Sequence, residues 1–369
     1  MPPIPYPSTT LKKVFLPFFL ALVLLLAGCL VQPIPPTANP QPGETPSGAG
    51  FLQKPSPSDI RVMSFNVNWD SIFPDGDPQN DRLREYSTGP AFVRILQAIR
   101  PDVVCLNEIN PVRDPQQVGD ILDAALPLEN GRKWQTFKGK DDVLAARFDL
   151  RMGTGQLVHG SEATTGQAAA LVDLPDATYN ADLYLICAHF KSGGGESDIQ
   201  ARQKQADATI AWIADAETPG DKIDLPADTP LIVLGDLNVY DTDPAHHLTT
   251  LITGDIENED RYGGDTKPDW DGTDLADALP HHNGTGAETY TWRDDTQDFN
   301  PGALDRILYT DSVASVENGF VLDTMEMPED QLASAGLQPG DVMLDPAKGI
   351  YDHLPLAVDF SFHDLSKGQ

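Results

Sequence analysis

Asp236 and Asn238 stand one residue apart where an apolar run, Leu231 to Leu234, gives out. The run is too short for a helix and branched enough for a buried strand. In extended chain, residues two apart point to the same side, so a carboxylate and a carboxamide leave the core aimed at one spot. Gly235 just before them relaxes the backbone or admits a close approach. Taken alone, the stretch also reads as a strand closed by an Asx turn. It does not stand alone, because other apolar runs end in polar residues too: Asn66 with Asn68, Glu108 after Asn107, and His189. Asp305 lies inside the apolar run from Leu304 to Leu308, where an unpaired carboxylate is costly. Asp352 and His353 stand before the last apolar run. A buried Asp and a His suit each other, since the carboxylate fixes the imidazole tautomer and stabilises its charged form.

The elements that must position these groups follow from periodicity. Strands are expected at Arg61 to Val67, Asp102 to Leu106, Trp134 to Phe137, Val143 to Arg147, Ala168 to Leu174, Leu183 to Ala188, Leu231 to Asp236, Thr289 to Trp292, Ala303 to Tyr309, Ser312 to Val321 and Leu354 to Phe362. Helices are expected at Pro90 to Ile99, Val118 to Leu126, Asp198 to Asp215 and Ala245 to Ile252. Asp75 to Asp81 reads as a loop and Gly263 to Ala287 as a long polar surface insertion. In the latter, Asp269, Asp271, Gly272 and Asp274 echo a calcium loop with incomplete spacing and read better as solvated acids. With strands and helices mixed and no fixed repeat, the class is α/β (mixed α+β), with one core over residues 59–363 and a short tail, 364–369.

Ahead of that core, Lys12 and Lys13 precede an apolar run from Val14 to Leu26 that ends in Leu26-Ala27-Gly28-Cys29. A charged start, a short apolar stretch and small residues at its end make an export signal too short for a comfortable membrane span. The ending resembles a bacterial lipoprotein signal over residues 1–28, with Cys29 as the lipidated first residue. An ordinary secretory signal is the alternative; either way the chain is expected to be exported, anchored to the cell-envelope membrane if Cys29 carries lipid. Residues 29–58 are crowded with Pro, Gly, Ser and Thr and read as a tether, reaching about 3.1 Å per residue where Pro-rich.

The net charge of −31 argues against a broad groove for a polyanion, which Lys and Arg would have to line. A local pocket that meets a phosphate through a metal ion stays open. Besides Cys29 there are only Cys105 and Cys187, both inside apolar runs, and they read as buried free thiols, with a disulfide between them as the alternative.

Ser-Phe-Asn-Val (64–67), Val-Cys-Leu-Asn-Glu-Ile (104–109), Ala-His-Phe-Lys-Ser (188–192), Val-Leu-Gly-Asp-Leu-Asn (233–238), Leu-Asp-Arg-Ile-Leu (304–308) and Asp-His-Leu-Pro (352–355) occur in an order that resembles the endonuclease/exonuclease/phosphatase superfamily, the fold of pancreatic deoxyribonuclease. The resemblance implies a four-layer sandwich, two mixed sheets face to face with helices outside, and an active site at one sheet edge. It implies a phosphoesterase dependent on Mg²⁺, or on Mn²⁺ or Ca²⁺ in its place. Glu108 matches the metal ligand, a single acid sufficing for a cation that keeps waters and substrate oxygens. Asn66 would touch metal or phosphate, with Asn68 or Asp352 in the outer shell. His353, paired with Asp305, would activate water or stabilise the pentacovalent phosphorus. Asp236 and Asn238 would handle the attacking water or phosphoryl oxygens, and His189 would protonate the leaving oxygen. Arg147 matches a family arginine and could reach a phosphate, or else make a surface ion pair. Arg306 and Tyr351 depart from the usual pattern and bear on substrate choice.

The implied substrates are phosphate esters. His189-Phe190-Lys191-Ser192, the glycines after it and Arg202, Gln203 and Gln205 look similar to secreted bacterial nucleases, which favours nucleic acid. A phosphatase, a phospholipid or sphingomyelin diesterase, and a binding module without catalysis are the alternatives. No obligate protein partner is evident. His159, His246, His247, His281, His282 and His363 are read as structural.

Overall fold

Every strand that carries a candidate residue is buried on both faces, and the pairing explains why their ends meet. The computed structural model describes residues 50–76, 87–154, 166–220, 222–239 and 246–363. The leader, Cys29, most of the tether, part of the 75–81 loop, His159 and the tail lie outside them. One six-stranded sheet runs in the order β11-β12-β1-β2-β4-β3, with β1 Ile60–Asn66, β2 Val103–Asn107, β3 Gln135–Lys138, β4 Val143–Ala146, β11 Ala314–Val321 and β12 Leu356–Phe362. The other runs β5-β6-β7-β8-β10-β9, with β5 Asp149–Thr154, β6 Ala168–Asp173, β7 Leu183–His189, β8 Leu231–Asp236, β9 Ala276–Asp277 and β10 Asp305–Tyr309. Each sheet is antiparallel except for one central parallel pair, β1 with β2 and β7 with β8.

Helices cover the outer faces, α1 (Gly89–Ile99) and α2 (Gln116–Ala125) in the first half, α3 (Glu196–Glu217) and α4 (His246–Thr253) in the second. The short α5 (Glu259–Tyr262) and α6 (Glu329–Ala335) complete them. The result is a four-layer sandwich of two packed mixed sheets flanked by helices. Period-2 alternation sorts the second sheet's residues cleanly. Leu183, Leu185, Cys187, Ile232, Leu234 and Ile307 join the core shared with the first sheet. Tyr184, Ile186, Ala188, Leu231, Val233 and Leu308 join the core under α3 and α4. His189, Asp236 and Asp305 are therefore the last members of inward-facing rows.

Close packing at the β7–β8 pair needs Gly235. It has φ +136°, and a Cβ there would stand 1.9 Å from the Ala188 carbonyl oxygen. Any other residue would part the two strands that deliver His189 and Asp236.

Several expectations need correction. Cys105 and Cys187 are not free thiols: they form a disulfide, Cα atoms 5.5 Å apart, across the two sheets. Both sit on inward rows at matching height, a juxtaposition that sequence distance hides. The tether does not reach residue 58, because Leu52 is buried, Phe51 packs edge-on against Phe320 with ring centroids 5.2 Å apart, and Lys54 pairs with Asp102. Asp269 is no solvated acid; it is buried and accepts the Ser312 amide at 3.2 Å. The expected strand over Thr289 to Trp292 reduces to single bridges from Trp292 to Gly302 and His353.

Candidate active site

The C-terminal ends of both parallel pairs open on the same edge. In register, Asn66 lies beside Asn107 and His189 beside Asp236. β10 runs antiparallel to β8, so its first residue, Asp305, lies opposite Asp236. Strand direction alone thus collects exits of β1, β2, β7 and β8 with the start of β10.

Asp236 Oδ2 is the meeting point. It accepts a hydrogen bond from Asn66 Nδ2 at 3.0 Å and lies 3.5 Å from His353 Nε2 and 3.6 Å from His189 Nε2. Its other oxygen takes the Asn238 amide at 2.9 Å, and its own amide donates to Asn107 Oδ1 at 2.9 Å. The carboxylate is held from both flanks before any ligand arrives.

Each imidazole has its own carboxylate. His353 Nδ1 lies 2.8 Å from Asp305 Oδ2, and His189 Nδ1 lies 2.9 Å from Asp141 Oδ2. Burial by itself would lower His353, yet Asp305, Asp236 and Asp352 push it well above the usual imidazole range. Burial likewise opposes the charge on His189, but Asp141, Asp236 and Glu108 raise it to about 10. Both rings are therefore biased toward their charged form. Nε2 of His189 is buried with no hydrogen-bond partner among the described residues.

Glu108 follows β2 in the left-handed region, φ +63°, a strained conformation for a residue with a side chain. Its Oε2 accepts the Trp69 amide at 3.1 Å, and Oε1 lies 3.9 Å from His189 Nε2. Burial, with help from the Asp352 charge, pushes its carboxyl up to about 7. Asp352 is tied in through Asn68, whose Nδ2 donates to it at 2.5 Å, while Asn68 Oδ1 is buried with no hydrogen-bond partner among the described residues. Carboxylates and amide oxygens crowded together, with one acid raised chiefly by burial, fit a hard cation, which prefers one or two carboxylates and keeps waters. Glu108, Asp352 and the amide oxygens of Asn66 and Asn68 are the residues that would hold it.

Two sequence candidates are placed differently. The Asn238 side chain donates to the Phe190 carbonyl at 3.0 Å, and the backbone there has φ +49°. β8 has already ended, so its alternation no longer applies, and the Asx turn holds Asp236 in place. Arg147 is paired with Asp102 at 3.0 Å, beside the start of β2, while Glu108 lies past that strand's far end. It is a surface ion pair at the opposite edge of the sheet. Arg202 and Gln205, read as nuclease-like, are buried and brace the loop after β7: Arg202 donates to the Lys191 and Gly193 carbonyls at 2.8 and 2.7 Å, and Gln205 accepts the Lys191 amide at 2.8 Å.

Asn107, Asp141, Asp142 and Thr291 were not singled out. Asp141 and Asp142 precede β4, which runs antiparallel to β2, so they lie at the edge where β2 exits. Asn107 Nδ2 donates to Asp142 Oδ1 at 2.7 Å, and Thr291 Oγ1 accepts the Asp305 amide at 2.9 Å. The signal was present: acids just before an apolar strand carry the same meaning as acids just after one whose direction is reversed.

The chain matches the Endonuclease/Exonuclease/phosphatase family over residues 63–334. Among solved structures, it is similar to an endonuclease/exonuclease/phosphatase from Bacteroides vulgatus, at 17% identity over 83% of this chain and 99% of that one, with a TM-score of 0.50. A family protein from Bacteroides thetaiotaomicron is similar at 15% identity over 84% of this chain and 100% of that one, TM-score 0.50. The TDP2 of D. rerio, solved with a single-strand DNA product, has 17% identity over 82% and 99%, TM-score 0.48. These likenesses are of fold. No curated protein matches the chain. Sandwich, strand-end site and family match agree: the chain belongs to the Endonuclease/Exonuclease/phosphatase family.

Proposed function

We propose that this chain is an exported, divalent-metal-dependent phosphodiesterase of nuclease type. The observation that carries the reading is the convergence on Asp236 Oδ2 of Asn66, His189 and His353. A phosphate ester needs a base for the attacking water, charge on the phosphoryl oxygens and a proton for the leaving oxygen. Their carboxylate neighbours shift His353 and His189 toward the charged form, so each is better placed to donate a proton than to accept one. That favours Asp236 as the base, His353 as the donor to a phosphoryl oxygen and His189 Nε2 as the donor to the leaving oxygen. Asp305 and Asp141 fix the two rings in orientation. When bound beside Glu108, Mg²⁺ or Mn²⁺ supplies charge against the phosphate oxygens.

Nucleic acid is the favoured substrate class, in short or single-stranded form, since a chain of net charge −31 is ill suited to long duplex tracts. A lipid diester is the second reading. It is favoured by the proposed lipid on Cys29, which would hold the site beside a membrane. The test is release of product from bis-nitrophenyl phosphate, plasmid DNA, RNA, inositol phosphates and sphingomyelin vesicles, with Mg²⁺ or Mn²⁺ and with chelator. Turnover of vesicles alone selects the second reading; no turnover of any substrate with either ion removes the enzyme.

Export as a lipoprotein is part of the proposal. It is supported by the Leu-Ala-Gly-Cys29 ending and by the Cys105–Cys187 disulfide, which suits an oxidising compartment. Among the described residues no helix is long and apolar enough to cross a membrane. Cys29→Ala is expected to move the protein from the membrane pellet to the soluble fraction, and unchanged fractionation would remove the anchor.

A further inference from the structure

His282 is fully buried, and its Nε2 lies 2.8 Å from the Tyr290 carbonyl oxygen. A carbonyl only accepts, so this nitrogen carries a proton. Nδ1 on the other side of the ring faces two carboxylates, 3.3 Å from Glu326 Oε2 and 3.7 Å from Asp323 Oδ2. If Nδ1 is bare, three acceptors confront one another. If it is protonated, one carboxylate should close to about 2.7–2.9 Å, the ordinary charge-assisted distance. The two other imidazole–carboxylate pairs described above do close, at 2.8 Å for His353–Asp305 and 2.9 Å for His189–Asp141. The His282 contact to Glu326, a long hydrogen bond at 3.3 Å, stays wider. Ligand atoms about 2.0–2.1 Å from a tetrahedral zinc ion lie roughly 3.3–3.4 Å from one another, which matches one of the two separations and falls short of the other by a few tenths of an ångström.

We propose that His282 Nδ1, Asp323 and Glu326 form a binding site for a divalent cation of Zn²⁺ type, separate from the phosphoryl site, with water as the fourth ligand. The three ligand atoms all lie within 4.8 Å of one another. A mixed nitrogen and carboxylate set suits Zn²⁺ better than Mg²⁺, which takes oxygen. Two ligands are rigid. His282 bridges to Val321 at the end of β11, and Asp323, two residues on, exchanges hydrogen bonds with Asn283 at 3.0 and 3.1 Å and takes the Met325 amide at 2.8 Å. The Glu326 side chain is 44% exposed and can close on an arriving ion. A backbone carbonyl behind a ligating imidazole is the usual device for fixing its tautomer. Through Tyr290 the ion would also brace Thr291, which accepts the amides of Asp305 and Leu354 on either side of His353's support.

The test uses the full chain stripped by chelator and titrated with Zn²⁺ against a chromophoric competitor. The expected result is that Glu326→Gln, an exposed substitution safe for folding, and Asp323→Asn each lose one zinc equivalent or bind it at least tenfold more weakly. Glu108→Gln keeps that equivalent, and the zinc-dependent rise in melting temperature disappears only in the first two. Co²⁺ in place of Zn²⁺ should give visible bands of tetrahedral intensity that Glu326→Gln abolishes. Equal zinc stoichiometry and affinity in Glu326→Gln, Asp323→Asn and the parent, or no zinc bound by the parent, would overturn the site. Phosphodiesterase activity is not the readout, so this result stands apart from the fate of the proposed reaction.

Discussion

Nε2 of His353 lies 3.5 Å from Asp236 Oδ2 while Nδ1 of the same ring is 2.8 Å from Asp305 Oδ2. One carboxylate orients the ring and the other waits where a substrate phosphate and its water would enter. His353→Ala should therefore lose about 10²–10⁴-fold in phosphodiester turnover, the usual worth of a positioned acid or base, while still folding cooperatively, with a circular-dichroism melt lowered by the unpairing of buried Asp305. Asp305→Asn should lose activity too, by removing the charge that holds the ring protonated. Full activity in His353→Ala would end the assignment.

With Glu108 as the proposed metal ligand, the metal requirement should depend on pH. Its carboxyl is raised to about 7, chiefly by burial. The cation needs the carboxylate, so protons compete with it below that value and not above. The Mg²⁺ concentration for half-maximal activity should be flat above pH 7.5 and rise up to about tenfold per unit below pH 6.5. Glu108→Gln should raise it at every pH and remove the slope. A wild-type value constant from pH 5.5 to 8 would contradict this.

Glu217 makes a prediction about stability alone. Its Oε1 is buried with no hydrogen-bond partner among the described residues, and burial, then the Asp269 charge, raises its carboxyl from 4.5 to about 7. The folded state thus holds a proton that the unfolded state releases near 4.5. Stability contributed by the neutral form is complete below that value and lost as pH rises through about 7. Glu217→Gln, permanently neutral, should melt with the parent at pH 4 and above it at pH 8, in parallel thermal scans. Coincident melts at pH 8 would refute the shift.

The disulfide closes a loop with a sequence separation of 82 residues. Chain entropy alone puts its contribution at about 4.5 kcal/mol. Cys105→Ser paired with Cys187→Ser should lower the denaturant midpoint accordingly, and thiol titration of the unfolded parent should find neither cysteine free until reductant is added.

Much of the fold was legible because buried strands announce themselves: β1, β2, β7 and β8 are short branched runs with polar exits. The exposed β5 edge has no apolar alternation and gave no signal. The candidate site was legible at Asp236, Glu108 and His189, where a strand exit is written directly into the chain. Asp141 was missed because its meaning depends on β4 running opposite to β2, a fact of pairing and not of composition. Asn238 lies beyond the reach of the strand pattern. Alternation was carried two residues past the end of β8, into a left-handed turn where the rule has no force. The Cys105–Cys187 bond and the docking of Phe51 and Leu52 are contacts between distant segments, and no local pattern encodes them.

The catalytic edge is split between two slabs: Asn66, Glu108 and His353 ride on one, His189, Asp236 and Asp305 on the other. Neither slab holds the proposed site by itself, so the reaction proposed above would exist only once the two slabs lie in register. The covalent stitch beneath the edge then keeps them from sliding out of it.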